Sequence, residues 1–149
     1  MRTQDVDDVE QYDAFVVGAA AYVLHWMKDA TRFVKRHRAV LASRPLWLFS
    51  SGPLGTDTVD AEGRDVLESS RPKEFEELSS ALHPRDERVF FGAWDPDAAP
   101  VGAAEHLMRL VPAGAQALPA GNFRDWTSID DWARTIAAEL GARIQENES

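Results

Sequence analysis

Two short runs of apolar residues, each followed by small residues, stand out in the hydrophobic pattern of the chain. They are residues 14–18 (AFVVG) and residues 46–49 (LWLF). Both are apolar on two faces and rich in β-branched or aromatic residues, which is typical of parallel strands covered by helices. Between them, apolar residues recur at three-and-four spacing from Ala20 to about Ala42, which predicts an amphipathic helix. The pattern therefore predicts a βαβ unit.

The next part of the chain continues this alternation. Residues 55–71 are polar and predict a long loop. Pro72 suits the start of a helix with an apolar face at Phe75, Leu78 and Leu82, and His83-Pro84 suits its end. Residues 88–93 (RVFFGA) then predict a third strand.

The remaining residues predict two more helices. Residues 101–111 have the spacing of a short amphipathic helix. Thr127 or Ser128 predicts the capped start of a final helix over 129–142. The buried stripe of this last helix is predicted to be Trp132, Ile136 and Leu140.

Composition and charge narrow the function classes. The 149 residues, 44% of them hydrophobic, predict a single domain over 1–149. A formal net charge of -9 repels nucleic acids and anionic membranes. The absence of cysteine excludes disulfides, thiolate catalysis and iron-sulfur clusters. No run approaches the ~20 apolar residues of a membrane span, so we expect a soluble, cytoplasmic protein.

No catalytic or metal-binding motif stands out. The four histidines include no His-x-x-x-His or Glu-x-x-His pair, so the sequence predicts no metal site. Ser50 and Ser51 follow a predicted strand but lack the Gly-x-Ser-x-Gly elbow of a hydrolase. We therefore predict no catalytic side chain.

The loops after the first two strands fit the binding of a planar, electron-rich heterocycle better. Such a ring needs an aromatic face and backbone amides close to the atoms that gain charge on reduction. Tyr22 and Trp26 could supply the face, and the small residues 50–55 could supply the backbone approach. Ordinary helix packing explains Tyr22 and Trp26 equally well.

Several stretches together resemble one family. Residues 12–22, His25-Trp26 and residues 49–55 are similar to flavodoxin-domain proteins related to the bacterial menaquinone-dependent protoporphyrinogen oxidase. Residues 88–96 and 121–126 also resemble that family, so the likeness covers nearly the whole chain. It implies a flavodoxin-like, three-layer α/β/α fold with a parallel sheet of order 2-1-3-4-5. It also implies flavin mononucleotide (FMN) at the carboxyl ends of the strands.

The resemblance also implies which residues contact the cofactor. Tyr22 resembles the aromatic residue that flanks the isoalloxazine ring, while Ser51, Gly52 and Gly55 resemble backbone contacts to the ring edge. The predicted cofactor-binding residues are Ala19, Ala20, Tyr22, Trp26, Ser50, Ser51, Gly52, Pro53, Leu54 and Gly55.

One part of the family pattern has no counterpart here. Family members begin with a strand, a phosphate-binding loop and a helix, whereas this sequence resembles them from their third strand onward. We therefore expect an N-terminally truncated domain whose FMN binding is weak or absent. The strand at 14–18 should become a sheet edge, which favours a homodimer or pairing with another protein.

Two function classes follow. The first is a flavodoxin-like redox protein, an oxidoreductase that uses FMN for electron transfer to a redox partner or for oxidation of a small substrate. The alternative is a cofactor-free interaction module or a truncated remnant that binds no FMN.

Overall fold

Three parallel strands form the centre of the structure, a computed structural model that describes residues 1–97 and 119–147. They are β1 (Phe15–Tyr22), β3 (Leu46–Ser51) and β4 (Asp86–Phe90), with β3 between the other two. A short strand, β2 (His25–Trp26), pairs antiparallel with the outer side of β1, so the order is β2-β1-β3-β4. The predicted α/β fold with a mainly parallel sheet is confirmed.

The first helix begins later than predicted. The helix expected from Ala20 is wrong over its first residues, because β1 continues to Tyr22 and a hairpin leads into β2. Pairing of Ala19 and Ala20 with the end of β3 extends the strand, so tertiary contacts override the helix propensity of alanine. Two helices follow, α1 (Lys28–Arg36) and α2 (Arg38–Ser43).

One face of the sheet is packed against α1, α2 and α4 (Glu74–Leu82). The predicted helix with Phe75, Leu78 and Leu82 inside is confirmed, and His83 ends it in the left-handed conformation. The expected loop over 55–71 contains a short helix, α3 (Val66–Ser69). The buried residues of this face are Val9, Phe15, Val17, Trp26, Ala30, Val34, Leu41, Leu46, Leu48, Phe75, Leu78 and Leu82.

The other face is packed against the last helix, α5 (Trp126–Asn147). Its cap is Asp125 rather than the predicted Thr127 or Ser128, because the Asp125 carboxylate accepts hydrogen bonds from Ser128. The Ser128 hydroxyl, with its backbone N–H, lowers the pKa of Asp125. Trp132 and Ile136 are buried as predicted, and Leu140 is half-buried. The helix predicted at 101–111 lies outside the described residues.

The third predicted strand ends earlier than expected. It is β4, and after it residues 91 and 92 leave the sheet before a small second sheet formed by β5 (Ala93–Trp94) and β6 (Gly121–Asn122). Gly92 turns toward the loop after β3 and donates its N–H to the Pro53 carbonyl at 2.8 Å. The loops after β3 and β4 are therefore held together.

Candidate functional site

The predicted cofactor residues lie where the carboxyl ends of β1 and β3 meet. Because these strands are parallel neighbours, the loops that follow them emerge at the same edge of the sheet. A Cβ built on Gly52 would lie 3.3 Å from the Ala21 carbonyl oxygen, so the two loops touch through their backbones. The structure therefore brings together the two groups of residues that the sequence nominated.

The first group forms a β-hairpin rather than a loop followed by a helix. Tyr22 pairs with His25 across a turn in which Val23 and Leu24 both have positive φ, 51° and 62°. Two positive-φ residues are the conformation of a type I′ hairpin turn, and valine adopts it only at a cost of about 1–3 kcal/mol. Val23 and Leu24 are exposed, so the hairpin presents an apolar tip beside Tyr22.

Glu74 at the start of α4 fixes this hairpin. Its carboxylate accepts hydrogen bonds from the Trp26 backbone N–H at 3.0 Å and from His25 Nδ1 at 2.9 Å. Desolvation raises the pKa of Glu74, but these hydrogen bonds outweigh it and leave that pKa below its ordinary value. Lys73 N–H also donates to the Leu24 carbonyl at 3.0 Å. The strained turn is thus held by α4.

Trp26 has its side chain in the core, away from the loop surface. It is 2% exposed, its ring lies against Phe75 at 5.2 Å, and its indole N–H donates to the carbonyls of Ala19 and Phe49 at 3.2 Å. The indole therefore links the backbones of β1 and β3 from the core side of the sheet. Tyr22, which is half-buried, is the aromatic residue of the predicted set that remains at the loops.

Ser50 and Ser51 point to opposite faces of the sheet. Ser50 is fully buried on the α1 and α4 face, and within the described residues its hydroxyl has no hydrogen-bond partner. Ser51 faces α5 and lines a groove there. Of the two hydroxyls, only that of Ser51 is placed to reach a ligand.

The rest of the loop offers backbone donors that have no acceptor among the described residues. Gly52 N–H is already used, donating to the Phe90 carbonyl at 3.2 Å. The N–H groups of Leu54 and Gly55 donate no hydrogen bond to any described residue. Gly55 has φ +96° and open space where a Cβ would stand, a conformation that favours glycine. A ring edge that accepts hydrogen bonds fits these two amides.

A second concave surface, which the sequence did not predict, lies between the sheet and α5. It has a volume of about 390 Å³ and is lined mainly by apolar side chains, among them Val16, Phe49 and Trp126, with Arg124 and Ser51 at the end near the loops. The Phe49 ring lies directly over Gly18, where a Cβ would be 2.0 Å away. Glycine in a run of β-branched residues is the sequence signal for this close approach.

The comparisons with known proteins identify the family. A family model described as the flavodoxin domain matches residues 1–99. The chain belongs to the flavodoxin domain family. The matched part of this flavodoxin domain contains all ten predicted cofactor residues and the three parallel strands, while α5 lies beyond it. No curated protein and no solved structure matches the chain.

Among residues 1–97 and 119–147 of this flavodoxin domain, no group of three His, Asp or Glu side chains is arranged to hold a metal ion. In the same ranges, no helix combines the length and apolar character that a membrane span requires.

Proposed function

We propose that the chain is a flavodoxin-like redox protein that binds the ring of FMN between the hairpin tip and the loop after β3. The observation that carries the proposal is the juxtaposition of two features at one sheet edge. One is the apolar, aromatic tip formed by Tyr22, Val23 and Leu24. The other is the pair of N–H groups at Leu54 and Gly55, which have no acceptor among the described residues. Membership of the flavodoxin domain family supports this choice of ligand.

When bound, FMN would supply the capacity to accept and release electrons. The chain itself would bind and orient the ring. Tyr22 would cover one ring face, and the amides of Leu54 and Gly55 would donate hydrogen bonds to the ring edge that gains negative charge on reduction. Hydrogen-bond donors placed there favour the reduced ring and so raise its potential.

The phosphate of FMN has no comparable site in the described residues. As far as the described residues extend, none of the loops after β1, β3 and β4 forms a glycine-rich turn that opens a long helix, the arrangement that concentrates amides on a phosphate. The net charge of -9 also opposes an anionic group. We therefore expect the ring to provide most of the binding free energy.

Fluorescence titration of the purified chain with FMN and, in parallel, with riboflavin tests this proposal. Quenching with similar Kd values for both flavins is the expected result, and no quenching by either would overturn the proposal. Tyr22→Ala should weaken the binding of both flavins by about tenfold, which corresponds to the free energy of one good aromatic contact. Trp126→Ala is the matched control, because Trp126 is an exposed aromatic residue in the groove by α5. Loss of binding in the Trp126→Ala variant alone would mean that the flavin ring binds in the groove and not at the loops.

The redox partner or substrate belongs to the same proposal. Electron transfer to a protein and oxidation of a small molecule, as in the menaquinone-dependent protoporphyrinogen oxidase, are both compatible with a ring held at an exposed loop. Location in the cytoplasm also stays a prediction.

A cofactor-free interaction module is the second candidate function. The observation that favours it is the outer edge of β1. Val16 and Gly18 pair with β3 on one side, and among the described residues no strand pairs with them on the other side. Sedimentation at high protein concentration, combined with amide exchange of this edge, tests it. A monomer whose edge amides are protected would argue against an interaction surface here.

A further inference from the structure

Within residues 1–97 and 119–147, no strand pairs with the outer edge of β1 along its first half. Phe15 N–H donates to the Pro45 carbonyl at 2.8 Å on the β3 side, while the Ala20 carbonyl accepts from Met27 N–H at 3.0 Å on the β2 side. Because successive residues of a strand alternate, the N–H and C=O groups of Val16 and Gly18 point outward. Residues 14–19 (AFVVGA) carry no charge or proline, the features that commonly protect an edge from pairing.

In the part of the chain that the structure describes, the face beside this edge is uncovered along most of α5 and carries several exposed apolar side chains. The groove of about 390 Å³ that contains Val16 is followed, toward the carboxyl end of α5, by a second concavity of about 610 Å³ that contains Ala14 and Ile144. Val16, Trp126 and Ile144 are 49%, 57% and 60% exposed. From Trp126 to Ile144 the helix rises about 27 Å, which is long enough to receive another helix.

Charge marks both ends of this surface. Arg124 lies at the end near the loops, and Arg143 lies at the opposite end together with Asp13. Within the described residues, neither guanidinium group forms an ion pair, whereas Arg44 nearby is paired with Glu10 at 2.9 Å. These two cations give the ends of the groove a local positive charge, opposite in sign to the net charge of -9, and so favour a partner that carries carboxylates at its two ends.

We propose that the open edge and the groove bind a partner polypeptide that contributes one strand and one acidic amphipathic helix. The strand pairs with β1 at Val16 and Gly18, and the apolar face of the helix covers Val16 and the groove along α5. Carboxylates at the two ends of that helix reach Arg124 and Arg143. This inference develops the interaction-module function and does not depend on flavin binding.

A second copy of the chain fits this surface less well. It could pair with the edge of β1, but its own α5 packs over its own β3 and β4, on Trp47 and Phe90. Edge-to-edge pairing would therefore leave the groove of each copy uncovered. It would also bring the unpaired arginines of the two copies to the same side of the joined sheet, where like charges repel. The strand and helix of a different polypeptide satisfy the amides, the apolar surface and the charges together.

Synthetic peptides test the proposal with the full chain. The probe carries a short Val/Ile strand, a Gly/Ser loop and an amphipathic Leu/Ala helix of about 18 residues with Glu at both ends, and a second probe has Lys in place of Glu. Fluorescence anisotropy of the labelled probes measures binding. We expect the Glu probe to bind the chain more tightly than the Lys probe, and Arg124→Glu to reverse that order.

Matched substitutions locate the binding surface. Val16→Asp should weaken the Glu probe by at least about tenfold, because it places a carboxylate in an apolar contact. Val59→Asp is the control, since Val59 is 55% exposed and does not line the groove. Equal effects of the two substitutions, or no binding of either probe, would overturn the proposal. So would a dimer of the chain that Val16→Asp converts to monomers, since the second copy would then be the occupant. No readout involves flavin, so this test and the flavin titration fail separately.

Discussion

The two faces of the central sheet are covered to different extents. On the face of α1, α2 and α4, residues such as Val34, Leu48 and Phe75 are fully buried. On the face of α5, Trp47 and Trp132 are buried above β3 and β4, but Val16 on β1 is half exposed to solvent. A single helix covers this side in the described residues, whereas three cover the other.

This difference separates stability from binding. A closed face gains most of its free energy from apolar area removed from water, and deletion of its side chains leaves cavities. The open strip, formed by Val16, Trp126 and Ile144, contributes little to the free energy of folding of the isolated chain. It contributes to the free energy of binding when a partner covers it. We therefore expect substitutions on the closed face to change stability, and substitutions on the open strip to change binding.

The largest effect should follow truncation on the closed face. Phe75→Ala should lower the free energy of unfolding by about 3–5 kcal/mol, because the ring is fully buried against Trp26. Val16→Ala, on the open strip, should change it by less than about 0.5 kcal/mol. Urea denaturation monitored by tryptophan fluorescence measures both. Similar costs for the two variants would mean that the faces do not differ as described.

Filling the close approach of Gly18 to Phe49 on the open face should have the next largest effect. Gly18→Val should cost about 1–3 kcal/mol, because the new side chain occupies the position of the Phe49 ring and displaces it. Gly141→Ala in α5 is the control, since nothing lies within 4 Å of its Cβ. That substitution should stabilise the chain by up to about 1 kcal/mol through helix propensity. A neutral Gly18→Val would show that Phe49 does not rest on the strand.

Glu74 should give a smaller, pH-dependent effect at the border of the closed face. Glu74→Gln should cost about 1–2 kcal/mol at neutral pH, because the ionised carboxylate holds Trp26 N–H and His25. Since the folded-state pKa lies below the ordinary value of 4.5, this contribution is complete above pH 4.5 and is lost as the pH falls through the folded-state pKa. Urea denaturation from pH 3 to pH 8 measures it. A cost that persists in acid would exclude the charge as its cause.

The smallest effect should follow the loss of one hydrogen bond on the α5 face, in the part of that face that the helix covers. Trp132→Phe should cost about 1 kcal/mol, because it removes the indole N–H that donates to Asp86 at 2.9 Å but retains an aromatic ring beside Phe49 and Phe90. Burial raises the pKa of Asp86, while hydrogen bonds from Arg88 and from this indole lower it to below its ordinary value. NMR titration of Asp86 should therefore show a higher pKa in the variant, and an unchanged value would mean that the bond is absent.

The strands and the main helices could be predicted from the sequence because each carries a local pattern. Three of these patterns predicted elements that the structure contains. They are the apolar run from Leu46 to Phe49, the spacing of Phe75, Leu78 and Leu82, and the stripe at Trp132 and Ile136. The segment from Ala20 to Trp26 did not, because alanine suits a helix as well as a strand. Its conformation is decided by pairing with β3 and by the burial of Trp26, which are contacts distant in sequence.

The candidate site could be predicted in part for the same reason. Its two loops follow from the positions of the strand ends, and the family resemblance implies Tyr22 and Gly55 as contacts to the ring. The groove beside α5 could not be predicted. Val16 lies in an apolar run that is typical of a buried strand, and its exposure depends on which elements cover the sheet. Likewise, the sequence did not reveal that Ser50 faces the core and Ser51 the groove, because that depends on the register of β3.

Amide hydrogen exchange of β1 tests the contrast between closed and open parts most directly. In the isolated chain at low concentration, Val17 and Ala19 face β3 and should exchange slowly, at rates set by global unfolding. Val16 and Gly18 face outward and should exchange at least about 100-fold faster. Equal protection of all four amides in a monomer would show that the edge of β1 is already covered, and would contradict the open edge on which the account of this surface rests.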